Sequence, residues 1–569
     1  MAIDFKTKDL IAQARAWADA DPDASTRAEA TVLIARAEAG DRFAVEKLHA
    51  AFGQRLTFGT SGLRARLGAG PARMNRVVVC QTAAGLAQYL WEAGASITGP
   101  SVIRTSRASG DQPIVVIGFD ARANSELFAR DTAEIMSGAK VRAILLPGPI
   151  PTPVLAFAVR ELDADAGVMV TASHNPVGDN GYKVYLGGIH RGAQIVSPVD
   201  AEISRRIDQV ASSKSLIDMP RAEFERAGSD IVDAYVARTA ALVPEPIFRP
   251  RVAYTALHGV GGDTFRRVLR AAGYDMPIPV LEQDEPDGTF PTAAIPNPEE
   301  PGVLDRVFAL AHEIGAQIVL AHDPDADRLA VGVPVPDASG GPPTFRRLTG
   351  NQVGLLLGWW ACDRASRAGR LEGSLACSVV SSPAMESLGT SFGYQVVRTL
   401  SGFKWIARVP RLLFGFEEAM GYLINPETVH DKDGISAGLA IMGIASDLHA
   451  SGQTILEKVT ELGQAHGAYV SSQLSMRTEV DRIEKTMVDL RKTPPAELGG
   501  SAIVSVDDYS RGFQRLPPSN LLAWHLANGT RVMMRPSGTE AKLKVYVDAT
   551  SSEALERVDA DIRALFQSS

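Results

Sequence analysis

Three aspartates stand two residues apart in Asp323-Pro324-Asp325-Ala326-Asp327-Arg328. On a turning segment just after a strand, their carboxylates can converge on one point. Hard oxygen ligands of this kind suit magnesium, manganese or calcium and not zinc. A helix–loop–helix calcium site does not fit, because it needs a glycine at the sixth loop position and a glutamate at the twelfth; this chain has Arg328 and Pro334 there. The bland use of such a triplet is a solvated acidic turn. A second segment, Thr171-Ala172-Ser173-His174-Asn175-Pro176, exposes a serine in a small-residue turn beside a histidine that could polarise it. The G-x-S-x-G frame of a hydrolase elbow is absent, since Ser173 is flanked by Ala172 and His174. Read alone, Ser173 is a turn former or helix cap.

Arg535-Pro536-Ser537-Gly538-Thr539-Glu540, followed by Lys542 and Lys544, combines a bidentate fork, two hydroxyls and a glycine that lets backbone N–H groups approach an oxyanion. It reads as a phosphate cradle or as an ordinary polar turn. Phe58-Gly59-Thr60-Ser61-Gly62-Leu63-Arg64 is another small-residue loop with an arginine. In Gly415-Phe416-Glu417-Glu418-Ala419-Met420-Gly421-Tyr422, the paired acids can grip sugar hydroxyls. They can equally open a helix, where the dipole favours them. His258 and the Gly259–Gly262 loop read as a structural turn.

Elements must position these residues. Ile114–Ile117 runs into Gly118-Phe119-Asp120-Ala121-Arg122, Val168–Val170 into the Ser173 turn, and Ile318–Leu320 into the acidic triplet. Continuous apolar strands alternating with amphipathic helices predict sheets covered on both faces. One such helix carries Val303, Leu304, Val307, Phe308, Ala311 and Ile314 at helical spacing. Ligands of such sheets gather at the carboxyl ends of strands. A weak repeat, Arg251–Tyr254 before Leu257–Gly262 and Leu375–Val380 before Ser381–Pro383, suggests similar α/β modules in series. Up to Phe52 the chain reads as helices, with Leu10, Ala14 and Trp17 at helical spacing and a turn near Pro22. Near the C-terminus, Ile503–Val506 and Leu543–Val547, then the helical run Ser552–Phe566, predict a smaller α+β domain with loops at Pro494, Pro495, Pro517 and Pro518.

The chain has 569 residues, enough for three to five domains at roughly 150 residues each. Its 45% hydrophobic and 22% charged residues are ordinary for a soluble protein. A net charge of −8 lacks the basic excess of a nucleic-acid binder, so an anionic ligand requires a local basic cluster. Cys80, Cys362 and Cys377 are far apart, which argues against a disulfide framework or a zinc site and fits a reducing cytosol. MAIDFKTKDL lacks the apolar core of a signal peptide, and the apolar run Gly354–Ala361 is too short to span a bilayer.

Together the motifs resemble the α-D-phosphohexomutase superfamily of phosphoglucomutases and phosphomannomutases, from about Leu56 to the C-terminus. The resemblance rests on Thr171–Pro176 as phosphoserine loop, Asp323–Arg328 as metal loop, Glu417–Gly421 as sugar loop and Arg535–Thr539 as phosphate loop. It implies an α/β, four-domain, heart-shaped architecture: three related α/β domains and a smaller C-terminal α+β domain. The expected division is a helical extension 1–52 packing on domain 1, then domains at 53–212, 213–342, 343–462 and 463–569. The implied chemistry is phosphoryl transfer from phosphorylated Ser173, through a bisphosphorylated sugar, interconverting hexose 1- and 6-phosphates of glucose or mannose. Mg2+ would be held by Asp323, Asp325, Asp327 and Ser173, with Arg328 on the phosphoryl oxygens. Lys183, in Asn180-Gly181-Tyr182-Lys183, matches the family lysine near the proton transfer, and His174 is a second candidate base. Arg64, Lys404, Glu417, Arg535, Ser537, Gly538 and Thr539 would bind substrate. A sugar bisphosphate such as glucose 1,6-bisphosphate would serve as activator and intermediate. The expected partner is a small phosphosugar, with no nucleic acid or membrane, in a cytoplasmic monomer or homodimer. One departure is Ala419, where the family usually has a serine that grips the sugar. That change resembles the branch with phosphopentomutases and keeps a pentose 1-to-5-phosphate mutase as the alternative. A non-catalytic scaffold is disfavoured by the intact serine and acidic triplet.

Overall fold

The computed structural model describes residues 5–58, 62–94, 111–213, 218–478, 480–514, 516–537 and 542–567. The chain divides into two compact units. One comprises Met1–Pro246, Arg251–Leu329 and Glu427–Leu439; the other comprises Ile247–Pro250, Ala330–Pro426 and Ala440–Ser569.

The first unit begins with helices Phe5–Ala20, Ala24–Glu38 and Arg42–Phe52. Asp23 and Asp41 cap the second and third by accepting backbone N–H bonds, the usual role of aspartate at an N-terminus. Leu10, Ala14, Ile34, Leu48 and Phe52 form a core of their own. The Glu29 carboxylate accepts from the Ala69 backbone N–H at 3.0 Å and ties these helices to the next segment.

A sheet follows in the order Leu63–Arg66, Asp179–Leu186, Ala166–Val170, Ile114–Phe119, Arg142–Leu145, Glu225–Arg226. Ile114–Phe119 runs parallel to both its neighbours. Asp179–Leu186 is antiparallel to the strands on either side. Every residue of Ala166–Val170 is buried, as a strand covered on both faces requires. A second group of parallel strands pairs Val252–Thr255 with Ile318–His322 and with Ile278–Pro279. The predicted helix before Ile318 spans Asp305–Ile314 and stops at Gly315, whose φ of +60° gives the left-handed residue that ends many helices.

In the second unit, Ser374–Ser378 lies parallel to Gln395–Thr399 and Leu412–Glu417, with Gly421–Leu423 antiparallel on the far edge. Helix Gly350–Arg367 opens with a reciprocal capping box between Thr349 and Gln352. Gly354 lies so close to the Phe416 ring that a Cβ there would fall 2.3 Å from it. The C-terminal sheet is antiparallel, ordered Val470–Arg477, Lys542–Ala549, Arg531–Pro536, Leu522–Leu526, Ser501–Asp508, Glu497–Leu498. Helices Val480–Lys492 and Ser552–Gln567 contribute Met487 and Val558 to its core around Trp524 and Val545. Among the described residues no helix is long and apolar enough to cross a membrane.

Candidate active site

The buried strand Ala166–Val170 delivers Thr171 and Ser173 at its carboxyl end. Thr171 fixes the turn. Its Oγ1 donates to Asp120 at 2.6 Å and accepts the Ser173 backbone N–H at 2.8 Å. Ser173 is buried, with φ of +53°. For a residue with a Cβ this conformation is sparsely populated and is held only when neighbours over-determine it. The Ser173 hydroxyl donates to Asp323 Oδ2 at 2.7 Å, and His174 Nδ1 lies 3.2 Å from the same Oγ.

Strand Ile318–His322 carries the triplet in the same manner. Asp323, Asp325 and Asp327 are all buried, and each offers an oxygen within 4.8 Å of the others. Ala326, at φ +54°, makes the tight turn that points the acids the same way. The loop is braced from two sides. Thr152, at the start of helix Thr152–Glu161, donates its hydroxyl to Asp325 Oδ2 at 2.7 Å. The Val260 N–H donates to Pro324 O at 2.8 Å, and Gly259 and Gly261 press against Pro324 and Ala326. The His258 loop is thus the structural turn expected of it.

Lys183, from strand Asp179–Leu186, reaches Asp325 at 2.6 Å and Asp327 at 2.9 Å with only 1% of its side chain exposed. Arg328 Nε lies 3.7 Å from Asp327 and 4.0 Å from Asp323. Burial and the neighbouring Asp327 push the Asp325 carboxyl up. Burial acts the same way on Asp327, but Lys183, Lys432 and Arg328 more than offset it and hold that carboxyl below its usual range. His174, a fifth of whose side chain stays exposed, is held well below its usual pKa by burial and by the Arg328 and Arg64 guanidiniums. It is therefore neutral at pH 7. Arg64, on strand Leu63–Arg66, donates to Ala172 O at 3.3 Å and Asn175 Oδ1 at 3.2 Å.

These residues fit a hard divalent cation. Three buried carboxylates converge, and Asp325 Oδ1 and Asp327 Oδ1 accept no hydrogen bond from the described residues. A buried acceptor left without a donor is costly, and a cation would satisfy both. The oxygen-only donor set selects magnesium, manganese or calcium.

Spacing had not singled out Lys432, whose Nζ lies 3.4 Å from Asp327. It sits in Glu427–Leu439, a segment of the first unit flanked on both sides by the second. The segment is pinned by Gln194 donating to Asp431 at 2.8 Å, by Tyr235 donating to Asp433 at 2.9 Å, and by His322 Nε2 against Gly434 O at 2.9 Å. The signal was the charged run Asp431-Lys432-Asp433 before an apolar helix, Gly434–Ala450.

The second unit holds its own cluster. Glu417 ends strand Leu412–Glu417 and Glu418 begins the turn to Gly421–Leu423. The helix-opening alternative for the paired acids is therefore wrong: the strand alternation of Phe414 and Phe416 continues up to the turn, where Met420 takes φ +60°. The two acids also differ. Ser378 and Ser381 donate to Glu418 at 2.7 and 3.2 Å. Arg535, on strand Arg531–Pro536, donates to Tyr546 Oη at 3.3 Å; burial opposes its charge, but Tyr546, Glu418 and Glu417 raise its pKa. The Ser537 N–H donates to Lys542 O at 2.8 Å. Gly538 and Thr539 lie outside the described residues, as do Gly59–Ser61. Lys404 is half-buried in the short helix Phe403–Ile406.

Four successive segments match the phosphoglucomutase/phosphomannomutase family: residues 55–214 its alpha/beta/alpha domain I, 233–335 domain II, 349–463 domain III and 479–565 its C-terminal domain. The chain is 46% identical over 482 residues to a probable phosphomannomutase of Haemophilus influenzae, covering 84% of this chain and 94% of that protein. It is 32% identical over 552 residues to the Homo sapiens phosphopentomutase, covering 88% and 86%, and 32% identical over 551 residues to the Mus musculus glucose 1,6-bisphosphate synthase, covering 88% and 84%. The fold resembles the crystal structure of a Thermus thermophilus phosphomannomutase homologue, with a TM-score of 0.68 at 23% identity over 90% of this chain and 99% of that one. With all four domains present in order on three α/β sheets and a C-terminal α+β sheet, the chain belongs to the phosphoglucomutase/phosphomannomutase family of the α-D-phosphohexomutase superfamily and is a phosphosugar mutase.

Proposed function

We propose that the enzyme interconverts the 1- and 6-phosphates of glucose or mannose, with Ser173 as the residue that carries the phosphoryl group. The observation that carries this reading is the Ser173 hydroxyl, 2.7 Å from Asp323 within a cluster of three buried carboxylates. Phosphorylated Ser173 gives its phosphoryl group to a sugar-phosphate hydroxyl, the bisphosphorylated sugar reorients, and its other phosphate returns to Ser173. Asp323, Asp325 and Asp327, with a phosphoserine oxygen, would hold Mg2+, which when bound neutralises charge on the transferring group. Arg328 binds the phosphoryl oxygens.

Neutral His174, 3.2 Å from Oγ, and Lys183 are the proton-handling groups. Lys183 has both nearby acids as partners, so it also keeps the triplet from repelling itself. Arg64 and Lys404, together with Glu417 as acceptor for sugar hydroxyls and Arg535, Ser537, Gly538 and Thr539 around the non-reacting phosphate, bind the substrate. The proposed division into 53–212, 213–342, 343–462 and 463–569 after the extension 1–52 gives each domain one of these loops.

The relative named a probable phosphomannomutase favours a hexose. Ala419 and the relatives named phosphopentomutase favour a pentose 1-phosphate as the second reading. A turnover panel of glucose, mannose, glucosamine, ribose and deoxyribose 1-phosphates, primed with glucose 1,6-bisphosphate, separates them. The expected result is the highest kcat/KM for a hexose. A ribose 1-phosphate value well above that for glucose 1-phosphate would replace the hexose assignment with the pentose one.

A further inference from the structure

Arg122 lies just beyond strand Ile114–Phe119, and the proposed chemistry gives it no task. Its side chain is 1% exposed, and its guanidinium faces backbone. Nη2 donates to the carbonyls of Ser173 at 2.5 Å and Asn175 at 2.7 Å; Nη1 donates to those of Pro176 at 3.0 Å and Asp179 at 3.1 Å. Four carbonyls of the serine loop thus end on one rigid fork.

The fork is itself fixed. Asp120 accepts the Arg122 backbone N–H at 3.0 Å and lies 3.5 Å from Nε. The other Asp120 contacts are Ser125 Oγ and Thr171 Oγ1, both at 2.6 Å, and Thr171 is the residue that accepts the Ser173 N–H. The Phe290 ring packs 4.8 Å from the guanidinium carbon. Gly288 comes so close that a Cβ there would fall 2.9 Å from Arg122 Cα. One buried ion pair therefore holds the Ser173 peptide from both sides: Asp120 acts through Thr171 on its N–H, and Arg122 acts on its C=O.

A left-handed non-glycine residue is strained and persists only when its surroundings impose it. Hydrogen bonds from a charged donor are the stronger kind, and guanidinium offers five N–H donors in a fixed plane. An ammonium offers three from a single point and cannot span four diverging carbonyls.

We propose that Arg122 is a positioning residue for phosphoryl transfer, setting the Ser173 backbone so that Oγ is presented to Asp323; this rests on the phosphoserine reading above. In the half-reaction served, the Ser173 Oγ–P bond forms as the sugar O–P bond breaks. The serine proton passes to the departing sugar oxygen, and nothing is oxidised or reduced.

The test follows phosphate on Ser173 by intact-protein mass after adding glucose 1,6-bisphosphate and magnesium to the full chain. Wild type, Arg122→Lys and Arg122→Ala are compared, with the folded fraction of each measured by thermal unfolding. For folded Arg122→Lys we expect phosphorylation and kcat to fall at least about tenfold while KM stays within about twofold, because small misplacements of a reacting group are costly in rate. Wild-type rates in Arg122→Lys would overturn the proposal, and so would losses in both variants that merely follow the folded fraction. A wild-type chain that acquires no phosphate on Ser173 would instead sink the phosphoserine reading.

Discussion

Ser173 depends on residues far away in sequence, and that dependence sets what its removal should do. Ser173→Ala deletes an Oγ that donates one hydrogen bond to Asp323 and leaves the backbone anchors on Thr171 and Arg122 in place. The expected outcome is a loss of turnover of at least about a thousandfold with stability within about 1 kcal/mol, since the lost hydrogen bond is modest and the loss of the proposed nucleophile is not. Steady-state kinetics beside a thermal melt checks both halves, and full activity would contradict the phosphoserine. At this scale the sequence was legible where chemistry is local. The three aspartates declare themselves through spacing, whereas Ser173 alone reads as a turn former and takes its proposed role from the family resemblance. Arg122 and Lys432 did not, because what they touch is brought to them only by the fold. Glu417 was singled out only through the family resemblance; in the fold, two serines donate to Glu418.

Strands and helices carry a second set of consequences. Helix Gly434–Ala450 starts at Asp433, whose carboxylate accepts the Ser436 N–H at 3.0 Å and both Tyr235 contacts at 2.9 Å. Burial pushes this carboxyl up to about 6. The folded chain therefore holds the proton over a range in which the unfolded chain has lost it. Stability from this group is fully present below about pH 4 and is lost as pH rises through about 6. Asp433→Asn keeps a capping oxygen but cannot ionise. Its melting temperature should therefore fall less than that of wild type between pH 4 and 7, and parallel curves would refute the assignment. Buried strands were read correctly because a strand covered on both faces is a continuous apolar run, as in Ala166–Val170 and Ile318–His322. Half-exposed ones were harder. Ile503-Val504-Ser505-Val506 shows the strand but not its inward face, and Val504 is 63% exposed. The third N-terminal helix, Arg42–Phe52, hides behind an Ala-rich stretch because only Gly40 and the Asp41 cap mark the break.

At the scale of the molecule, a net charge of −8 coexists with a site in which Lys183, Lys432, Arg328 and Arg64 surround three acids. A cation that binds the folded triplet and not the unfolded chain should raise the melting temperature with its concentration, by about 2.7 kcal/mol of stability at a hundred times its Kd. Thorough chelation should abolish turnover and lower the melting temperature, and magnesium should restore both; a chelated enzyme with unchanged rate and melt would exclude the metal role. The segment Glu427–Leu439 has a further consequence, for the order in which the protein can be made. The chain emerges from the ribosome with Asp323, Asp325 and Asp327 long before Lys432, and with Tyr235 and Gln194 before Asp433 and Asp431 exist to receive their hydrogen bonds. A nascent chain halted after Leu329 holds both the Ser173 loop and the aspartate loop yet lacks the piece that finishes their unit. The first unit cannot mature as an independent N-terminal domain during synthesis; it must wait for Glu427–Leu439, made after the intervening residues of the second unit, and so the enzyme acquires its complete charge cluster late.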